Sequence, residues 1–184
     1  MTPDDLKLIH AGAEVSAVLS LQHDDCLAYW DIDYTQMRRT GAELRLTMAR
    51  CPIREFDIPD MRRRLPDAIA TLVHLRAQGH RTYVHCTAGL GRAPLTVLGY
   101  LTLVEGHVPG RAIRLILEGR ARAAPSWEAY YGCCEDLVAR YREAIEWRAY
   151  ELYQQGVYSN PHEDWYQAQA EVLRSALIDR SIVL

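Results

Sequence analysis

The chain is 184 residues long, about half apolar and about a quarter charged, which suits one globular domain able to bury a proper core. Its formal net charge of −3 speaks against broad binding of nucleic acid or anionic membrane. Cys26, Cys51, Cys86, Cys133 and Cys134 are odd in number and irregularly spaced, without a C-x-x-C pair, so neither a disulfide framework nor a metal site is expected and a reducing compartment is.

In chain order, residues 3–12 are predicted to be helical, with Thr2 as cap and Pro3 at the first position. An apolar strand follows over 15–21, then the polar segment Gln22-His23-Asp24-Asp25. Residues 33–41 are expected to form a helix stopped by Gly41, and part of 44–53 a second strand. Residues 54–60 read as a loop. The helix after it carries Leu65, Ile69, Leu72 and Val73 on one face and ends at Gly79. A strand over 81–84 leads into Cys86, and the helix over 93–104 is apolar nearly all round, hence buried, with Gly106 ending it. Pro109 opens another helix through Arg120. After Pro125 the chain reads as helical to Gln155, and a turn over 156–161 precedes a last helix with 162–177 as its core. Strands alternating with helices predict an α/β fold: a central, mostly parallel sheet flanked by helices, with a helical C-terminal extension. No apolar run reaches membrane-spanning length, and the start Met1-Thr2-Pro3-Asp4-Asp5 has neither a leader nor a transit-peptide pattern, so a cytoplasmic protein without membrane contact is expected.

The densest signal is Val84-His85-Cys86-Thr87-Ala88-Gly89-Leu90-Gly91-Arg92-Ala93-Pro94, set between a strand and a buried helix. The glycines let the backbone curl so that successive N–H groups point inward, and the following helix turns its positive end to the same point. Thr87, Ala88, Gly89, Leu90 and Gly91 are therefore the predicted phosphate cradle. Arg92 adds a planar fork for two phosphate oxygens, and the local field favours Cys86 as a thiolate nucleophile. Cleaving a phosphate monoester leaves an alkoxide that needs a proton, and the upstream loop offers Glu55, Asp57 and Asp60. Asp60 is the best candidate to cap the helix beginning near Met61. Glu55 and Asp57 alternate with Phe56 and so are expected on one side of an extended loop, one of them being the acid.

These residues identify a resemblance. The loop from Cys86 to Pro94 resembles the signature of the dual-specificity phosphatase superfamily, and within it the form of the plant starch-excess-type glucan phosphatases, with laforin more distant. Ala93 stands where many protein-directed relatives carry Ser or Thr, as in the starch type. Leu21-Gln22-His23-Asp24 with Tyr29-Trp30-Asp31-Ile32-Asp33 is similar to that family's recognition segment. Glu55-Phe56-Asp57 with Met61-Arg62-Arg63-Arg64-Leu65-Pro66 is similar to its acid loop and following helix, and the end of the chain with Trp165 to its C-terminal extension.

The resemblance implies a cysteine-based phosphatase fold, with a catalytic domain over 1–155 that includes the recognition segment and an extension over 156–184 packed on it. It implies attack by Cys86 to give a phosphocysteine, with Arg92 and the loop amides holding the equatorial oxygens. His85 would orient the loop and help to lower the Cys86 pKa. The acid-loop carboxylate would protonate the sugar oxygen and then activate water, with no metal or organic cofactor. The implied substrate is phosphate on a starch- or glycogen-like glucan, with Tyr29, Trp30 and Phe56 as sugar platforms. Glu55 stands at the family's usual aspartate position, but a helix one residue shorter brings Asp57 there, and Asp57 is ranked slightly ahead. The family's first strand is missing before residue 3, which implies a trimmed start or a smaller sheet, and there is no room for a carbohydrate-binding module.

Trp127, Trp147 and Trp165 are expected to pack helices, and Cys133 and Cys134 to be helix residues. Cys26 and Cys51 are expected to be idle thiols rather than a protective disulfide. Arg111, Arg114, Arg120 and Arg122 read as a solvated helix face, and Arg62, Arg63 and Arg64 as added attraction for phosphorylated chains. Two other functions remain open: a dual-specificity protein tyrosine/serine/threonine phosphatase, and a non-catalytic module that holds phosphoglucan or phosphoprotein. Phosphoinositide chemistry is disfavoured because Thr87, Ala88, Leu90 and Gly91 add no basic residue. Redox chemistry of the arsenate-reductase type is disfavoured because no resolving thiol lies near the loop in sequence.

Overall fold

Local chemistry sets the first element. The Thr2 hydroxyl accepts from the Asp5 N–H while the Asp5 carboxylate accepts from the Thr2 N–H, a capping box that starts α1 (Pro3–Ala13). The computed structural model describes residues 1–156 and 160–182, and it continues from α1 into β1 (Ala17–Gln22), which is buried along its whole length. That burial follows from its place: β1 is the middle strand of a parallel sheet, with β2 (Thr47–Ile53) on one side and β3 (Thr82–His85) on the other, in the order β2-β1-β3. The expected mostly parallel sheet is thus present, with three strands among the described residues.

Alternation along β1 sorts the two layers. Val18 faces Leu6 of α1, Met37 of α3 (Tyr34–Glu43), and Val15 and Leu46. Ala17, Leu19 and Leu21 face the larger core, built from α4 (Ile58–Ala77), α5 (Arg92–Leu103), α6 (Pro109–Gly119), α7 (Trp127–Arg140), α8 (Arg142–Gln155) and α9 (Pro161–Ile182). α9 lies against α4 and α8 and puts Ala168, Leu173 and Leu177 into that core. Among the described residues no helix is long and apolar enough to cross a membrane.

Four local expectations are corrected. Asp24–Tyr29 is a short helix, α2, whose N-cap is His23: its Nδ1 accepts from the Asp25 N–H, a role masked in sequence because His is not among the usual caps. Gly41 does not stop α3. It lies inside the helix where a Cβ would come within 2.6 Å of the Met48 side chain, so it is there for close approach, and the chain turns at Arg45 with φ of 56°. α4 begins at Ile58 rather than near Met61. The long helix expected after Pro125 breaks at Tyr141 into α7 and α8. Of the turn expected over 156–161, residues 157–159 lie outside the described residues.

Candidate active site

The three strands end on one side of the sheet, and the signature loop grows from the end of β3. Ligands of parallel α/β sheets bind at the carboxyl ends of strands for this reason: chain direction gathers the strand-to-helix loops there. Cys86 is 4 % exposed and is followed by the turn through Gly89, which sits at φ +68° and so needs glycine. Arg92, in the first turn of α5, is 1 % exposed.

A buried guanidinium must be hydrogen-bonded. Arg92 Nη1 donates to the carbonyls of Ile53 (2.9 Å) and Leu21 (3.5 Å), at the ends of β2 and β1, and lies 3.4 Å from Cys26 Sγ. One side of the fork is thereby tied to the sheet. Nη2 donates to Thr87 Oγ1 at 3.0 Å and pairs with the Glu55 carboxylate at 3.1 Å, while Nε has no protein acceptor. The Nε–Nη2 edge can grip two oxygens at once: the side chain is anchored through Nη1, Nε is open, and Nη2 opens when an incoming anion takes the place of Glu55 or Thr87. Thr87 Oγ1 also accepts from Gln22 Nε2 at 3.4 Å.

Around the loop, alternate carbonyls are held from outside. The Cys86 carbonyl accepts from His85 Nδ1 (3.1 Å), the Ala88 carbonyl from Arg120 Nη2 (3.0 Å), and the Leu90 carbonyl from the Ala124 N–H (2.7 Å). Because C=O and the next N–H point opposite ways in a trans peptide, the amides of Thr87, Gly89 and Gly91 face away from these donors. His85 is buried, and desolvation pushes its pKa down to about 4 despite the Cys86 carbonyl. Its imidazole is therefore neutral near pH 7, with the proton on Nδ1, since only a donor can meet a carbonyl. The expectation that His85 orients the loop has a geometry; the help it was expected to give Cys86 cannot come from a positive charge.

The acid candidates separate. Phe56 adopts φ of 61°, so the segment is a tight turn rather than an extended loop, and Glu55 and Asp57 leave it in different directions. Glu55 reaches Arg92. Asp57 is the N-cap of α4 and accepts from the Asp60 N–H at 2.9 Å, taking the role expected of Asp60. Asp60 is buried, accepting from the Arg54 N–H and the Arg63 guanidinium. Among the predicted sugar platforms Tyr29, Trp30 and Phe56 are 80, 59 and 91 % exposed, and Tyr29 and Trp30 meet edge to face at 5.1 Å.

Trp127 and Trp165 pack on the core as expected, whereas Trp147 is exposed on α8, a correction that follows from α8 burying only Ile145 and Leu152. Arg62 is committed to a two-point pair with Asp136 and Arg63 to Asp60, so these two are not free attractants. All five cysteines are free thiols, and burial pushes Cys51 up to about 11 and Cys133 up to about 12. Among the described residues no cluster of three or more His, Cys, Asp or Glu could hold a metal ion. Gln22, Arg120 and Ala124 were missed as loop supports. A glutamine directly after an apolar strand is the one sequence signal that pointed at any of them.

No protein-family model matches the chain. It is 33 % identical over 147 residues to phosphoglucan phosphatase DSP4, amyloplastic, of Castanea sativa, covering 78 % of this chain and 38 % of that protein. It is 30 % identical over 100 residues to phosphoglucan phosphatase LSF1, chloroplastic, of Arabidopsis thaliana, covering 54 % and 17 %. The chain thus spans well under two thirds of the length of these curated relatives. In fold it matches the crystal structure of PTPMT1 with a TM-score of 0.59 at 18 % identity, covering 78 % of this chain and 90 % of that one. The Cys86–Arg92 loop thus stands at the end of a parallel strand in a chain that shares the fold of PTPMT1 and is similar in sequence, over 78 % of its length, to a phosphoglucan phosphatase.

Proposed function

We propose that the chain hydrolyses phosphate monoesters through a phosphocysteine and that its substrate is a phosphorylated glucan. The observation that carries this is the meeting at Arg92 of three things: the Cys86 loop, the Glu55 carboxylate, and two segments bearing exposed aromatics. Cys26 of α2 touches Arg92 one helical turn before Tyr29, and Glu55 precedes Phe56, so the segments that carry Tyr29, Trp30 and Phe56 reach Arg92. Exposed aromatic rings in such a place suit the apolar faces of sugars, and a peptide substrate does not require them. The names of the two plant relatives support the same substrate class.

In this mechanism Cys86 Sγ attacks phosphorus and the bond from phosphorus to the sugar oxygen breaks. Arg92 and the amides of the loop hold the equatorial oxygens while charge builds on them. The substrate phosphate takes the place of Glu55 on the Arg92 fork, and Glu55, released from that pair and protonated, gives its proton to the leaving oxygen. It then takes a proton from water as that water attacks phosphorus, the S–P bond breaks and the thiolate is restored. This reading takes Glu55 as the acid in place of Asp57, which the sequence ranked slightly ahead, because Glu55 reaches Arg92 while Asp57 caps α4. His85 holds the Cys86 carbonyl as a neutral donor. The five free thiols support a reducing compartment, and we place the protein in the cytoplasm.

Phosphate release from phosphorylated starch and glycogen, set beside release from phosphotyrosine peptides, tests the reading. Cys86→Ser is expected to abolish turnover, and Glu55→Gln to lower kcat on glucan by about 10²–10⁴-fold, while Asp57→Asn stays within a few-fold of wild type. Preference for the peptide sinks the substrate assignment. Loss with Asp57→Asn while Glu55→Gln is intact sinks the acid assignment.

A further inference from the structure

The anion-binding loop is braced from a part of the chain that the signature does not include. The connection after α6, residues 120–125, lies along its outer side. There Arg120 Nη2 donates to the Ala88 carbonyl at 3.0 Å and the Ala124 N–H to the Leu90 carbonyl at 2.7 Å. The Arg120 guanidinium also covers Gly89: its nitrogens lie 3.7 and 3.8 Å from where a Cβ on that residue would stand. No carboxylate pairs with Arg120 among the described ion pairs, in contrast to Arg62, Arg63, Arg148 and Arg180. Its charge is thus spent on a loop peptide.

We propose that Arg120 is a positioning residue for phosphoryl transfer: its hydrogen bond to the Ala88 carbonyl fixes the Ala88–Gly89 peptide so that the Gly89 N–H meets an equatorial oxygen. The inference rests on the phosphatase reading and adds to it a residue outside the loop. A peptide flanking a φ +68° glycine has few local constraints, because glycine tolerates either sign of φ, so the direction of its N–H must be set from outside. The donor is charged, so the bond is of the stronger kind, and it polarises the peptide in the sense that makes the Gly89 N–H a better donor. The same bond is solvent-exposed and contributes little to global stability, which separates a positioning role from a scaffolding one.

Wild type, Arg120→Met and Arg120→Lys are compared in kcat and KM for a chromogenic aryl phosphate. Calorimetric binding of orthovanadate, which mimics the transition state, and of inorganic phosphate is measured alongside. Met keeps the stem and loses the donor; Lys can still reach a carbonyl. Arg120→Met is expected to lose about 10–100-fold in kcat/KM, carried by kcat, and a like factor in vanadate affinity, with phosphate affinity moving less than about threefold. Its Tm stays within about 2 °C of wild type, and Arg120→Lys restores most of both losses. Arg120→Met with wild-type vanadate affinity overturns the proposal, as does a loss that tracks Tm or that Arg120→Lys fails to restore. A wild-type protein without turnover sinks the phosphatase reading instead, and the vanadate series then still decides the role of Arg120.

Discussion

At the scale of single residues, burial decides what a titratable group can do. His85 lies under the loop with Nδ1 on the Cys86 carbonyl and Nε2 without a partner, and desolvation holds its pKa at about 4, against 6.5 for a free imidazole. The unfolded chain therefore binds a proton in a pH window where the folded chain does not. Its contribution to stability is complete above pH 6.5 and is lost as pH falls toward 4, by about 3 kcal/mol in all. His85→Asn, which keeps a donor near the Nδ1 position and cannot charge, is expected to remove that part of the acid sensitivity. Urea unfolding of both proteins at pH 7.5, 5.5 and 4.5 measures it, and equal slopes in the two would refute the assignment. Phe56 is the opposite case, 91 % exposed and held at φ of 61°. A side chain so little buried adds almost nothing to packing, and its strained backbone is repaid only in function. Phe56→Ala is accordingly expected to raise KM for phosphorylated glucan by on the order of tenfold and leave kcat/KM for an aryl phosphate unchanged. Equal changes on both substrates would deny it a role in sugar recognition.

At the scale of elements, the start of α4 ties stability to the acid loop. Asp57 accepts from the Asp60 N–H, and one residue earlier the φ of Phe56 turns Glu55 toward Arg92, so a single turn serves as helix cap and as site wall. Asp57→Ala is expected to cost about 1 kcal/mol of unfolding free energy, and Asp57→Asn much less, because the amide oxygen can cap as well. Chemical denaturation of both variants measures this; an equal cost for Asn would mean that charge rather than capping matters there. The same turn shows where sequence reasoning reached its limit. The strand–loop–helix around Cys86 and Arg92 was legible because its glycines, its flanking apolar runs and its function all demand one conformation. Glu55, Asp57 and Asp60 were not separable, since any of three carboxylates near a helix start can cap it. What decides among them is the positive φ of a phenylalanine, and propensity does not foresee that. Gly41 misled for a related reason: a glycine near the end of a helical pattern reads as a stop, but here it makes room for Met48 across the layer, a contact between distant residues.

For the molecule as a whole, the question is whether the C-terminal helix is an appendage or part of the cooperative unit. Its sequence pattern announced a helix but not its dock. In the structure Ala168, Leu173 and Leu177 are buried in the same core as Leu65 and Ile69 of α4, and Arg180 pairs with Asp67 across the same contact. α4 in turn packs on all three strands and on α5, the helix that carries Arg92. The division into a catalytic part and an extension, drawn from resemblance, thus cuts through one packed core, and loosening α9 should be felt at the sheet. Leu173→Ala removes a side chain that is 2 % exposed and is expected to cost about 2–5 kcal/mol, lowering Tm by roughly 5–15 °C. The informative measurement is the shape of the transition. Tryptophan fluorescence of a protein with Trp30, Trp127 and Trp147 replaced by Phe, in which Trp165 of α9 is the one remaining tryptophan, and far-ultraviolet circular dichroism, which senses all elements, should still melt at one temperature when Leu173→Ala is added. If the α9 signal melts first while the remainder keeps its wild-type Tm, the helix is an appendage; a joint shift means that the site behind Arg92 is held in part by the far end of the chain.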